Sequence, residues 1–152
     1  MLQVRGASRC FGELTVFSDV TFDVGPGQTC AIVGANGSGK STLLRCVVGA
    51  DHLDVGTVSF DGDLVDEASP SFRSAVASVL DEPGLFPHLS VSEHIQLIAT
   101  AHGVVDAPQV ADAMLDGVGL SRAADQLPVT LSSGQRRRLG LASAFVRPRS
   151  MV

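Results

Sequence analysis

The chain has 152 residues, of which 45% are hydrophobic and 18% charged, and its formal net charge is −5. That length suits one domain with a core of its own, and an acidic balance whose one basic cluster is Arg136-Arg137-Arg138 argues against a nucleic-acid partner. No apolar run approaches bilayer-spanning length and residues 1–6 hold no signal-peptide core, so the expectation is a soluble, cytoplasmic protein.

In chain order, Leu2 and Val4 open a period-2 pattern over residues 2–10, and Val16, Val20, Phe22 and Val24 continue it over 14–24. Both stretches read as strands with one wet face. Gly25-Pro26-Gly27 is a turn that leads to a strand at 28–33, where Cys30-Ala31-Ile32-Val33 is unbroken apolar sequence and predicts burial on both faces. Next comes Gly34-Ala35-Asn36-Gly37-Ser38-Gly39-Lys40-Ser41-Thr42, which matches G-x-x-x-x-G-K-[ST] at every fixed position. A helix over 41–48 follows, stopping at Gly49. Strand, glycine loop and helix in that order make a phosphate site: the glycines let backbone N–H groups converge and the helix N-terminus adds partial positive charge. Lys40 would reach the β/γ-phosphates, and the Ser41 hydroxyl would sit on Mg²⁺.

Residues 56–60, the turn pair Asp61-Gly62 and Leu64-Val65 predict a short hairpin. Residues 75–80 are mostly apolar and read as a second interior parallel strand. From residue 83 the pattern turns helical. Ser90 and Glu93 form a capping box for a helix that carries Ile95, Leu97, Ile98 and Ala101 and stops at Gly103. Pro108 starts another helix with Val110, Ala111, Met114 and Leu115 on its apolar side, and Ser132 or Ser133 caps a last one with Leu139, Ala142 and Val146. Cys10, Cys30 and Cys46 read as buried free thiols, and His52, His88, His94 and His102 show no metal-ligand spacing. The three arginines read as a solvated face or as partners of Asp residues.

The string Leu131-Ser132-Ser133-Gly134-Gln135, followed by Arg136, resembles the LSGGQ signature of ABC-transporter ATPases, with Ser133 in place of a glycine. Phe11-Gly12 is similar to the family's A-loop aromatic, and Leu85-Phe86-Pro87-His88-Leu89-Ser90-Val91 resembles the segment after its Q-loop. With the glycine loop, these motifs stand in family order between residues 4 and 150. The resemblance implies an α/β fold of the P-loop NTPase, ABC-ATPase type: a nucleotide-binding core (1–82 and 128–152) with an N-terminal antiparallel β subdomain, a helical subdomain (83–127), and a central parallel sheet that is incomplete. It implies an ATP-binding subunit using ATP and Mg²⁺, lying at the inner face of the cell membrane against a transmembrane permease subunit. Phe11 would stack on adenine, and Val16 would line that pocket or serve as an ordinary strand residue. Leu131, Ser132, Ser133, Gly134 and Gln135 would act in trans on ATP held by a second ABC ATPase subunit in a head-to-tail dimer, with N–H groups at 133–136 meeting the γ-phosphate.

Two features depart from the family. Val79-Leu80-Asp81-Glu82-Pro83 has the form of a Walker B box, which would nominate Asp81 for Mg²⁺ and Glu82 for general base. Its position ahead of the signature instead places Asp81 where the Q-loop glutamine stands, where a carboxylate can still coordinate Mg²⁺ but cannot donate a hydrogen bond. The family's Walker B strand would begin near Met151-Val152, so its Asp and Glu and the switch His are not among these residues. The expectation is weak nucleotide binding and little hydrolysis. A non-hydrolytic nucleotide-binding module, or a soluble ABC ATPase without a membrane partner, are the alternative readings.

Overall fold

A computed structural model describes residues 1–80 and 84–152, and Asp81, Glu82 and Pro83 lie outside the described residues. The chain divides into two compact units, Met1–Arg73 and Ser74–Val152.

In the first unit, strands β1 (Leu2–Phe11) and β2 (Leu14–Val24) pair antiparallel, as their period-2 pattern predicts. β3 (Val55–Phe60) runs antiparallel along the other edge of β1 and turns through Asp61-Gly62 into the short β4 (Asp63–Leu64), which gives the order β2-β1-β3-β4. Leu2, Val4, Ala7 and Val58 are buried. The β1–β2 register shifts between Val4 and Ala7, where Gly6 and Asp19 hold positive φ values of 56° and 51°. Such a bulge reverses the in–out phase of a strand. The buried positions therefore pass from Leu2 and Val4 to Ala7 and Arg9, an arginine on the inner face of the sheet. The helix α1 (Lys40–Val47) buries Leu43, Cys46 and Val47 and ends ahead of Gly49, whose φ is 80°.

The predicted strand at 28–33 does not form. Residues 28–35 have no regular structure, and Val33 is 87% exposed. A strand buried on both faces exists only between parallel neighbours and under covering layers, and no described residue pairs with this segment. Cys30 is accordingly exposed, whereas Cys46 is buried as expected and Cys10 is intermediate.

The short α2 (Pro70–Ala75) begins in the first unit and ends in the second, where the other interior strand is expected. Of residues 75–80, Val76 alone makes a β contact, a parallel bridge to Met151, supported by Ala77 N–H donating to Met151 C=O at 2.9 Å. The remainder is irregular because one bridge cannot sustain a ladder. Helices α3 (Val91–Ala101), α4 (Ala107–Gly117) and α5 (Ser133–Phe145) form the core of the second unit around Ile95, Ala111, Leu115, Leu120, Leu139 and Ala142. The box at Ser90 is made as predicted: its hydroxyl accepts from Glu93 N–H, and Glu93 accepts from Ser90 N–H. His94 is fully buried on α3, which its surroundings in the sequence did not signal.

Candidate functional site

The glycine loop leads directly into α1, and its conformation follows from its composition. Gly37 and Gly39 hold φ values of 81° and 84°, in the left-handed region that β-carbons disfavour. At Gly39 the constraint is also steric, because a Cβ there would lie 2.8 Å from Val16 Cγ1 and 3.0 Å from the Val16 carbonyl oxygen. Ser38 N–H donates to Ala35 C=O at 3.2 Å and closes a turn within the loop. The first helical bond runs from Leu43 N–H to Gly39 C=O at 2.8 Å, and no described side chain caps the helix. The N–H groups of Lys40, Ser41 and Thr42 therefore precede the first intrahelical bond, at the positive end of the helix dipole. No acidic residue occupies that first turn. Lys40 Nζ donates back to the carbonyls of Gly34 and Ala35 at 2.9 and 2.7 Å, which keeps the ammonium on the loop. A charged acceptor would compete well for it, since bonds to ionised oxygen are stronger than bonds to an amide carbonyl.

Val16 of β2 is half-buried against Gly39, so the structure brings this expected pocket residue to the loop. Phe11, at the end of β1, is 52% exposed, with the Arg9 guanidinium over its ring at 4.6 Å from the centroid. Arg9 is not among the residues that the sequence motifs nominate. The signal available was a charged residue two positions before Phe11, in phase with the strand's inner face once the bulge is counted. Beside it, the Cys10 N–H bond to Asp54 and then the Arg9 guanidinium hold the Asp54 carboxyl below its ordinary range.

The signature string lies in the second unit at the start of α5. Leu131 is buried, and Ser132 is the N-cap: its hydroxyl accepts from Gln135 N–H at 3.2 Å, and Gln135 Oε1 accepts from Ser132 N–H at 2.8 Å. Ser133 and Gly134 are exposed in the first turn. Of the arginines that follow, Arg137 and Arg138 are exposed, in keeping with the solvated-face alternative. Arg136 donates to Leu131 C=O at 2.6 Å, and Arg138 donates to the carbonyls of Val118 and Gly119 at 3.0 and 3.1 Å. A guanidinium at the carbonyl end of α4 complements the negative pole of that helix, so Arg138 spends its charge on a helix terminus. Among the described residues no group of three or more His, Cys, Asp or Glu side chains could hold a metal ion. Asp81, the second expected Mg²⁺ ligand, lies outside the described residues together with Glu82.

Over 142 residues, 93% of its length, the chain is 40% identical to the aliphatic sulfonates import ATP-binding protein SsuB 2 of Burkholderia cenocepacia. Over its full length it is 30% identical to the glutamate transport ATP-binding protein GluA of Corynebacterium glutamicum. A solved structure of the ATP-binding subunit of an ABC transporter superposes on 96% of the chain with a TM-score of 0.81 and 28% identity. The chain spans 50% of the Burkholderia relative, 66% of the Corynebacterium one and 62% of the solved one. The family model for ABC transporters matches residues 17–152. Glycine loops that bind phosphate occur on many folds, but a likeness sustained through two compact units is a property of the whole chain, which belongs to the ABC transporter family.

Proposed function

We propose that the chain is the nucleotide-binding part of an ATP-binding subunit that couples ATP to transport through a separate membrane permease. The observation that carries this reading is the uncapped N-terminus of α1, with open space at Gly37, Gly39 packed close on Val16 and Lys40 held on the loop. These residues fit a polyphosphate: N–H donors, one ammonium and no carboxylate in the first turn. In this reading, residues 34–42 grip the phosphates while Phe11 and Val16 receive the base. Ser41 would hold Mg²⁺ with the phosphate oxygens, and Asp81 would be a second ligand. The ion, when bound, supplies charge neutralisation between phosphate groups.

Leu131 to Gln135 would complete the site of a second subunit in a head-to-tail dimer, with Ser132 and the N–H groups of Ser133 and Gly134 facing that subunit's γ-phosphate, since those of Gln135 and Arg136 bond back to Ser132 within α5. The division into a core of 1–82 and 128–152 and a helical subdomain of 83–127 belongs to the same proposal, as does a position at the cytoplasmic face of the membrane. No helix among the described residues is long and apolar enough to cross a membrane. Aliphatic sulfonates and glutamate stand in the names of two relatives, and this chain is assigned neither solute. No residue is assigned as the general base, so the proposal is one of binding.

The test is titration of the 152-residue chain with ATP and Mg²⁺ by calorimetry. Lys40→Ala is expected to weaken binding about 10- to 100-fold, the equivalent of one charge-assisted contact, with an unchanged far-ultraviolet dichroism spectrum. Equal affinity in the folded variant would refute the reading.

A further inference from the structure

We infer that Arg9 is a positioning residue for base recognition: its guanidinium backs the Phe11 ring and holds it where a purine can stack. The inference rests on the reading of Phe11 as the base-stacking residue and adds the element that orients it.

The guanidinium is placed by contacts from residues far along the chain. Arg9 Nη2 donates to Asp51 Oδ1 at 3.0 Å, and Nη1 donates to both Asp54 carboxylate oxygens at 3.3 Å. Nη1 also donates to His52 Nε2 at 2.8 Å, and His52 Nδ1 faces Asp51 Oδ1 at 3.3 Å. Arg9 is 7% exposed, while Asp51, Asp54 and His52 reach it from more open positions, so the cation is buried and its partners less so. Burial opposes its charge, and the bonds to Asp54 and Asp51 more than offset that, leaving the guanidinium firmly protonated. A planar cation fixed at both Nη atoms is thereby held over the Phe11 ring, with its Cζ 4.6 Å from the centroid. A phenyl ring at the end of an exposed hairpin would otherwise be free to rotate. Stacking on the guanidinium orients it while the ring stays half open to solvent.

The clamp also reaches the C-terminal end of the helix that begins at the glycine loop. Asp51 N–H donates to Arg45 C=O at 3.2 Å, and Cys46 Sγ donates to His52 C=O at 3.4 Å. Arg45 and Cys46 lie in the last turn of α1, the helix that starts at the glycine loop. One set of contacts therefore links the orientation of the Phe11 ring to the helix that carries the phosphate donors.

A merely structural Arg9 would affect any ligand of this site equally, whereas a positioning residue for the base acts only on ligands that have one. The experiment compares the affinities of the 152-residue chain for Mg²⁺–ATP and for Mg²⁺–tripolyphosphate, which lacks the nucleoside, and takes their ratio. Phe11→Ala is expected to lower the ratio about 5- to 150-fold, the loss of one base stack. Arg9→Lys, which keeps the charge but not the plane, is expected to lower it about two- to fivefold and to leave tripolyphosphate affinity unchanged. Asp51→Asn, which loosens the clamp without removing the guanidinium, is expected to shift the ratio in the same direction. If Phe11→Ala lowers the ratio and neither Arg9→Lys nor Asp51→Asn does, the inference is wrong and base stacking by Phe11 stands. If Arg9→Lys weakens both ligands in parallel, Arg9 is structural and the inference is again wrong. If wild type binds both ligands equally, or Phe11→Ala leaves the ratio intact, the base-stacking reading falls and the inference falls with it.

Discussion

Gly39 is the residue where backbone and packing demands coincide. A side chain there would have to adopt a left-handed backbone at a cost of about 1–2 kcal/mol and would also press on Val16. Gly39→Ala is therefore expected to destabilise the first unit by at least that amount in urea unfolding. It is also expected to weaken ATP binding more than tenfold, because any shift of the loop moves the first N–H groups of α1. Asp54 sets a second expectation, one of pH. Its carboxyl is held below the ordinary range first by Cys10 N–H and then by Arg9. The ionised form thus contributes stability that is fully present above the unfolded value of about 3.9 and is lost as pH falls through the lower folded value. Asp54→Asn is expected to be less stable than wild type at pH 7, with the difference closing below about pH 4. Urea midpoints measured from pH 7 to pH 3 check this.

At the scale of the element, α5 shows how far local sequence carries. Ser132 and Gln135 make a reciprocal cap predictable from their spacing alone, and Ser132→Ala is expected to cost about 1 kcal/mol in chemical unfolding. His94 shows the opposite. Its Nδ1 accepts from Phe86 N–H at 3.4 Å, so Nε2 carries the proton and donates to Ser143 Oγ at 3.1 Å, and Ser143 donates in turn to Leu139 C=O at 2.9 Å. The neutral ring fits this chain, and burial lowers its pKa. Above pH about 6.5 the ring is neutral in both folded and unfolded states; below it the unfolded state takes up the proton first and stability falls. His94→Gln is expected to reduce the loss of stability between pH 7.5 and 5.5. Some slope should remain from His102, whose pKa is lowered by burial and then by Arg147. Nothing in the residues around position 94 announces this role, because Ser143 stands 49 positions away.

At the scale of the whole molecule, the two expected interior strands separate what is encoded locally from what requires partners. Residues 28–33 have strand composition and are open, while Val76 and Ala77 are buried with a single bridge to Met151. Hydrogen exchange is expected to find the 28–33 amides nearly unprotected and those of Leu2 and Val4 protected by orders of magnitude, since only the latter sit in a paired ladder. Strong protection at 28–33 would show that this segment has found a neighbour. The sequence by itself determined the antiparallel strands of the first unit, α1 after its glycine loop, the caps at Ser90 and Ser132, and the family motifs, because periodicity, turns and caps act within a few residues. Only the tertiary structure decided that Cys30 is exposed, that His94 is buried, and that Arg9 meets Asp51 and Asp54 at separations of 42 and 45 residues beneath Phe11. Burial and ion pairing depend on residues that chain closure brings from afar, and a local pattern carries no record of them.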